Sequence, residues 1–418
     1  MNLGISFFLI GAGFIFSSLS LDADSISLRE RVLKERAIAS GLLPIEELNP
    51  KTNSDLVTVG KTLFEAEYLS LNSSVSCRSC HLPQFSSADG LPNAIGVRGK
   101  GEGKERLESG GEIVPRNTLP LWGRGSDQFD VFFWDGKVKK IDNSELVVSQ
   151  FGTSPPSLDP LVVAAHLPPV EFNEMVDDTY QEVLAYETES KESALAVYSV
   201  LVDRVKADKP TSLKLAYALQ KEVSELTFSD VAIAIAEFIR FEFRLRQTPF
   251  HEFVFKGKSL SKKAIKGGLI FYGKGQCSVC HNGPLFSDLD FHAIPFKQLG
   301  FGKNGFGVDY GRYNVTFVPE DQYKFRTPPL YNVEHTAPYS HSGSVYDLGD
   351  AIRAHIDPLS AFDYMDDIDR SQFYSRLKAW SKEPIEPVTL REAETEQLIE
   401  FLKSLSFCKP NKDEFCNN

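Results

Sequence analysis

The sequence predicts a mainly α-helical chain made of two similar halves, each a helical domain threaded by long loops. Three observations carry this reading. The pentapeptide Cys77-Arg78-Ser79-Cys80-His81 returns as Cys277-Ser278-Val279-Cys280-His281. A helical pattern stands before each copy, and the two patterns align as Gly60-Lys-Thr-Leu-Phe64 against Gly267-Gly-Leu-Ile-Phe271. Each half then closes on an amphipathic stretch, one containing Glu237-Phe238-Ile239 and the other Glu400-Phe401-Leu402, with apolar residues at i, i+3 and i+4. Helix, pentapeptide, loops and closing helix in the same order twice read as an internal duplication.

C-x-x-C-H is the attachment signature of a c-type haem, in which two thiols form thioethers with the porphyrin edge and the next residue binds the iron. A structural zinc site would want a second thiolate or His pair, and none follows either copy. The chain is therefore expected to carry two covalently bound haem c, on Cys77 and Cys80 with His81 as iron ligand, and on Cys277 and Cys280 with His281. That gives two cytochrome c-like domains, at 28–250 and 256–407, joined near 247–259 and followed by a tail at 408–418.

Taken in order, residues 3–20 form an apolar run that reads as part of a signal peptide covering 1–22, with an N-terminal anchor as the alternative. Either places the folded chain outside the cytoplasm, in the periplasm. A net charge of −12 argues against nucleic acid or an anionic membrane as partner. Leu28 to Ser40 is a charged helical arm, and Asp55 to Glu67 is the helix that leads into the first motif. Gly- and Pro-rich loops follow at 83–126, 152–170 and 283–345; such loops suit a domain whose porphyrin supplies much of the apolar core. Helices at 177–187, 193–206 and 211–224 form an insertion in the first half, which Ser229 to Arg246 closes. Ser261 to Tyr272 opens the second half, Asp347 to Ala354 is a helix ending beside His355, and Arg391 to Leu405 closes the fold. Cys408 and Cys416 remain, and in an oxidising compartment they are expected to form a local disulfide that fastens the tail.

The sixth position of each iron decides what the haems can do. Between His81 and His166 there is no His, and the only Met before residue 200, apart from Met1, is Met175. The first iron is thus expected to lack a sixth protein ligand and to be open to a small oxidant. For the second, His292, His335, His341 and His355 are all candidates.

At this point the chain resembles the bacterial di-haem cytochrome c peroxidases, together with the related di-haem enzymes that oxidise tryptophan on partner proteins. The resemblance rests on both haem motifs, Arg116-Asn117-Thr118, Phe133-Trp134-Asp135-Gly136, Phe325-Arg326-Thr327-Pro328, Leu330-Tyr331-Asn332-Val333 and the stretch from Thr336 to Gly343. It implies that Trp134 stands between the haems as a stepping stone for electrons. It places His355, fourteen residues after His341, where relatives carry a Met or Tyr ligand, so the second haem is expected to be held by His281 and His355. Near Val97-Arg98 the His that caps the first iron in many peroxidases is missing, which implies a member that needs no reductive activation.

The family's Glu-Met pair maps to Glu174-Met175 and makes Glu174 the expected proton-transfer group for O–O cleavage, with Glu171 as rival. His166 falls near the family's distal Gln, as a hydrogen-bond donor or as an ordinary loop His. A calcium ion between the domains is implied at Asn117, Thr336 and Pro338, and His341 is expected to support a propionate. The expected activity is reduction of hydrogen peroxide at the first haem, with electrons from a small cytochrome c or cupredoxin. Oxidation of a protein substrate and simple di-haem electron carriage are the alternatives, and a homodimer is left open.

Overall fold

The structure is a computed structural model that describes residues 18–141, 147–177, 190–303, 305, 307–359, 367–411 and 414–415. It is mainly helical. The principal helices are α1 (Ser18–Ala39), α2 (Ser54–Phe64), α3 (Pro160–His166), α4 (Lys191–Ala207), α5 (Lys209–Leu219), α6 (Phe228–Glu242), α7 (Pro249–Phe255), α8 (Lys262–Phe271), α9 (Leu348–Ile356), α10 (Asp367–Trp380) and α11 (Glu392–Lys403). Their starts are set by capping side chains that satisfy the first free amides. Asn53 accepts from the amides of Asp55 and Leu56, Asp159 from those of Leu161 and Val162, and Ser261 from that of Ala264. Of the expected helices, 177–187 falls largely outside the described residues, as do residues 142–146, the first 17 residues and Cys416. Cys408 is disulfide-bonded.

Two helix pairs frame the fold, α2 against α6 and α8 against α11. Each pair is brought to backbone contact by a glycine. A Cβ on Gly60 would lie 1.9 Å from the Ala234 carbonyl oxygen and 2.9 Å from Cβ of Phe238, and one on Gly267 would lie 1.9 Å from the Gln397 carbonyl oxygen and 2.9 Å from Cβ of Phe401. No other residue fits at either crossing. The crossings bury Leu63 and Phe64 in one half and Ile270, Phe271 and Phe401 in the other.

The strands are short. Ala94–Ile95 pairs with Ile113–Val114, Val138–Lys140 pairs with Val131–Phe132 and with Val147–Val148, and Phe291–His292 pairs with Phe325–Arg326, all antiparallel. They pin the loops over the two cavities. The Arg326 amide also donates to the Trp134 carbonyl at 2.8 Å, tying a strand of the second half to the stretch around Trp134.

Three further contacts join the halves. Arg116 binds Asp309 through two nitrogens, at 2.7 and 3.0 Å, and Asp135 at 2.6 Å, with all three side chains buried. Burial alone would raise the two carboxyls, but the guanidinium between them holds both below the usual range. The segment at 247–259, read from sequence as the joint, contains α7, whose Phe250, His251 and Phe253 are buried. The tail crosses from the second half to the first: Phe407 packs edge-on to Trp122 at 4.9 Å. Phe415 lies 4.6 Å from Phe243, with the Arg78 guanidinium 5.6 Å from its ring. Among the described residues, no helix is long and apolar enough to cross a membrane.

Candidate active site

Each C-x-x-C-H motif makes one tight helical turn, Cys77–Ser79 and Cys277–Val279, that brings its two sulfurs and its His to the edge of a cavity. Nδ1 of His81 lies 2.8 Å from the Ser87 carbonyl and Nδ1 of His281 lies 2.9 Å from that of Phe286. A carbonyl at that distance fixes Nδ1 as the protonated nitrogen, leaving Nε2 as the metal-binding atom. Burial drives both imidazoles down to about 4, so they are neutral, the form that binds iron. Burial, and next the negative charge of Glu174, raise the Cys77 thiol to about 12. The chemistry of the donor set, two thiols and a neutral imidazole at an apolar cavity, fits haem c in both places.

The open faces differ. Over the second cavity, of ≈ 240 Å³, His355 on α9 faces His281 with ring centroids 6.4 Å apart. Two imidazoles on opposite sides of one iron need about this separation: metal–nitrogen bonds run about 2.0–2.1 Å, and each ring centre lies about 1 Å beyond its nitrogen. Nδ1 of His355 is 2.7 Å from the Ala351 carbonyl one turn back, which again leaves Nε2 for the cavity. The sequence put His355 past its helix; it lies inside α9, one turn after Ala351. The other candidates are engaged elsewhere. His292 sits between Asp288 (2.9 Å) and Glu383 (2.7 Å), His335 lies beside Glu334, and Nε2 of His341 meets Gln298 at 2.8 Å while its ring stacks on Phe325. Burial disfavours charge on His292, yet hydrogen bonds with Asp288, the Cys280 sulfur and Glu383 push it up to about 12.

The first cavity is larger, ≈ 420 Å³. Among the described residues that line it, none besides His81 is a His, Met or Tyr; Met175 is buried away from it. Its charged lining is instead Glu171, Glu174, Lys137, Lys303, Arg116 and Arg124. Glu171 is clamped by two ammonium groups, Lys137 at 2.5 Å and Lys303 at 2.7 Å. Burial would raise its carboxyl, but the two lysines hold it far below the usual carboxylate range. Glu174 is half-buried in a turn held by the Val97 amide on the Asn173 carbonyl (3.0 Å) and the Leu71 amide on the Met175 carbonyl (2.8 Å). Gly96 permits that approach, since a Cβ there would lie 1.8 Å from the Asn173 oxygen.

Trp134, Asn117, Thr118 and Leu119 line both cavities. The indole is buried and donates to the Asn117 carbonyl at 2.9 Å. The Asn117 amide reaches the Pro338 and Ser340 carbonyls at 2.5 and 3.3 Å, and its Oδ1 is buried without a partner. An orphaned amide oxygen beside backbone carbonyls, with Thr336 lining the same cavity, is a donor set that suits a hard cation such as calcium.

His166 stands apart from this group. Its Nδ1 faces the Val162 carbonyl at 2.8 Å, its Nε2 faces Ser229 at 3.1 Å, and its ring packs against Tyr198 and Phe228, while Ala164 and Ala165 are the α3 residues that line the cavity. The expectation of a distal donor is corrected: one ring nitrogen is spent within α3 and the other on Ser229 of α6. Sequence reasoning missed Lys137, Lys303 and Arg124. Lys137 directly follows Phe-Trp-Asp-Gly, which was the available signal, whereas nothing near Lys303 pointed to a cavity in the other half.

Comparison with known proteins agrees with this geometry. Residues 54–260 match the family described as di-haem cytochrome c peroxidase. The cytochrome-c peroxidase IdrP1 of Pseudomonas sp. (strain SCT) is 24% identical over 392 residues, covering 88% of this chain and 85% of that one. The methylamine utilization protein MauG of Methylorubrum extorquens is 25% identical over 396 residues, covering 92% and 87%. Among solved structures, the diheme peroxidase BthA from Burkholderia thailandensis E264 shares the fold, with a TM-score of 0.60 at 18% identity, over 86% of this chain and 88% of that one. Over residues 54–260 the chain thus matches the di-haem cytochrome c peroxidase family, and it is an oxidoreductase of that type.

Proposed function

We propose that the protein is a periplasmic peroxidase that reduces hydrogen peroxide to water at the His81 haem, with electrons relayed from the haem held by His281 and His355. The observation that carries this reading is the contrast between cavities: an imidazole faces His281 at 6.4 Å, while no second His, Met or Tyr lines the cavity of His81 among the described residues. When bound there, haem supplies the redox chemistry. The chain's own residues do the rest. Glu174 takes the proton from the near oxygen of peroxide and returns it to the far one. Glu171, held as an anion by Lys137 and Lys303, is a poor proton acceptor and serves to order the cavity wall. Trp134 lies between the cavities and passes single electrons. Asn117, with the Thr336 and Pro338 carbonyls, would hold calcium and stiffen the joint around Trp134. The two clamped helix pairs are read as products of one internal duplication, with the first domain at 28–250 and the second at 256–407.

The deciding experiment adds peroxide to the oxidised holoprotein and follows its spectrum with and without reduced cytochrome c or cupredoxin. Rapid steady turnover with the donor supports this function. A peroxide-induced change that decays only when a candidate protein substrate is added selects the second reading, oxidation of tryptophan on a partner, which the same open first cavity favours. No spectral response to peroxide sinks both and leaves a di-haem electron carrier.

A further inference from the structure

We infer that Arg124 anchors a propionate of the haem attached at Cys77 and Cys80, so that a haem carboxylate is the counter-ion of an otherwise uncompensated buried cation. The inference rests on haem attachment at that motif and not on peroxide activity.

Arg124 is 5% exposed and lines the His81 cavity. Its backbone is fixed against α6 and the chain beyond it. The Gly123 amide donates to the Phe243 carbonyl at 2.9 Å, and a Cβ on Gly125 would lie 2.7 Å from Cα of Arg240. Its Nε donates to the Pro120 carbonyl at 3.1 Å, and its guanidinium stands 4.8 Å from the centre of the Phe129 ring. Among the described residues, no carboxylate forms an ion pair or hydrogen bond with it. Its two terminal nitrogens have no hydrogen bond among the described residues, yet they are not among the sealed unpartnered atoms. What exposure this buried residue keeps therefore opens on the cavity it lines.

Other buried arginines of the first half are answered in full. Arg116 has Asp135 and Asp309, and Arg106 has the carbonyls of Ile95, Gly96 and Gly99. Around Arg124 the charge balance is worse than neutral. Arg326 stands 5.2 Å from the same Phe129 ring, fully buried, and donates only to the carbonyls of Phe133 and Thr327. The two guanidiniums repel each other, and burial together with this repulsion pulls Arg124 well below the usual arginine range. The acids of the cavity do not answer them. Glu171 is taken by two lysines, and Glu174 bears on the two cysteines. A buried cation with no anion is strongly disfavoured, and a guanidinium is built to hold a carboxylate by two parallel hydrogen bonds. The anions still to be placed in this cavity are the carboxylates of the haem. Arg326 lines the second cavity and not this one, so here it contributes repulsion, which a propionate on Arg124 relieves.

The test compares resonance Raman propionate-bending bands and the midpoint potentials of both haems in the holoprotein for wild type, Arg124→Leu, Arg124→Lys and Arg326→Leu. Arg124→Leu is expected to move the propionate bands of one haem and to lower the potential of the His81 haem, with the other unchanged. Arg124→Lys keeps the charge and loses the fork, so the bands move and the potential holds. Arg326→Leu leaves the first-haem bands in place. If Arg124→Leu does not fold, the lysine variant decides. Unmoved bands in either Arg124 variant, or first-haem bands that move in Arg326→Leu instead, overturn the assignment.

Discussion

The two halves repeat a scaffold and differ in what stands over it. Gly60 and Gly267 let their helices meet a partner backbone at the same 1.9 Å virtual contact, and His81 and His281 are each oriented by a carbonyl a few residues on. Above the second His stands His355, on a nine-residue helix. Above the first stands a wall of charge, Lys137, Glu171 and Lys303, with Glu174 beside it. The helix clamp can be kept while function diverges, because a loop or short helix alone decides whether the open side of the metal site receives an imidazole. One of those loops belongs to the other half: Lys303 reaches Glu171 across 132 residues of sequence.

The comparison can be broken at several levels. His355→Ala should make the halves alike: electron paramagnetic resonance of the oxidised protein should lose its low-spin signal and show two high-spin sites. A low-spin signal that survives would remove His355 as a ligand. Glu174→Gln should slow peroxide reduction by about 10²–10⁴-fold, the usual share of a general acid–base group, with both haem signals unchanged. Glu171→Gln should behave differently. It leaves the buried Lys137 and the half-buried Lys303 ammonium groups facing each other and is expected to cost roughly 3 kcal/mol of stability, the low end for breaking a buried pair, read by thermal or denaturant unfolding, with the larger part of the turnover retained. If the two substitutions exchange their effects, Glu171 is the proton-transfer group.

Smaller effects sharpen the likeness. Gly60→Ala and Gly267→Ala should each cost about 1–3 kcal/mol, the usual penalty of overpacking; a variant that loses nothing would show that its helix pair is not clamped as its counterpart is. The smallest effect concerns acid. Because Glu171 is held below its ordinary value of 4.5, its ion pairs contribute stability above that pH, and the contribution fades as pH falls below it. The Glu171→Gln protein should therefore lose stability less steeply than wild type between neutral and acid pH. Parallel acid limbs would mean that the carboxyl is not held by the lysines.

Much of this arrangement was legible in the sequence because short-range patterns dictate it. C-x-x-C-H fixes sulfurs and imidazole within one turn, and the Gly-to-Phe spacing at Gly60–Phe64 and Gly267–Phe271 recurs in both halves; it suited a helix lying close to a haem edge, whereas the glycines admit a partner helix. His355 was singled out from four candidates only by the family resemblance. What escaped was set by long-range packing. Glu171, Lys137 and Lys303 carry no local pattern that says they meet. His166 misled because closeness to a motif does not say which side of a seven-residue helix faces the cavity. The segment at 247–259 was read as a joint from position alone; that it folds as α7, with Phe250 and Phe253 buried, no local pattern announced.

Phe415 bears on how the molecule comes to be loaded. Its ring completes the packing around Phe243 and lies under Arg78, inside the first attachment motif. That corner stays unfinished until residues made long afterwards arrive to cover it. The early motif therefore stays uncovered on that side until the tail folds over it, and closing the tail completes the corner.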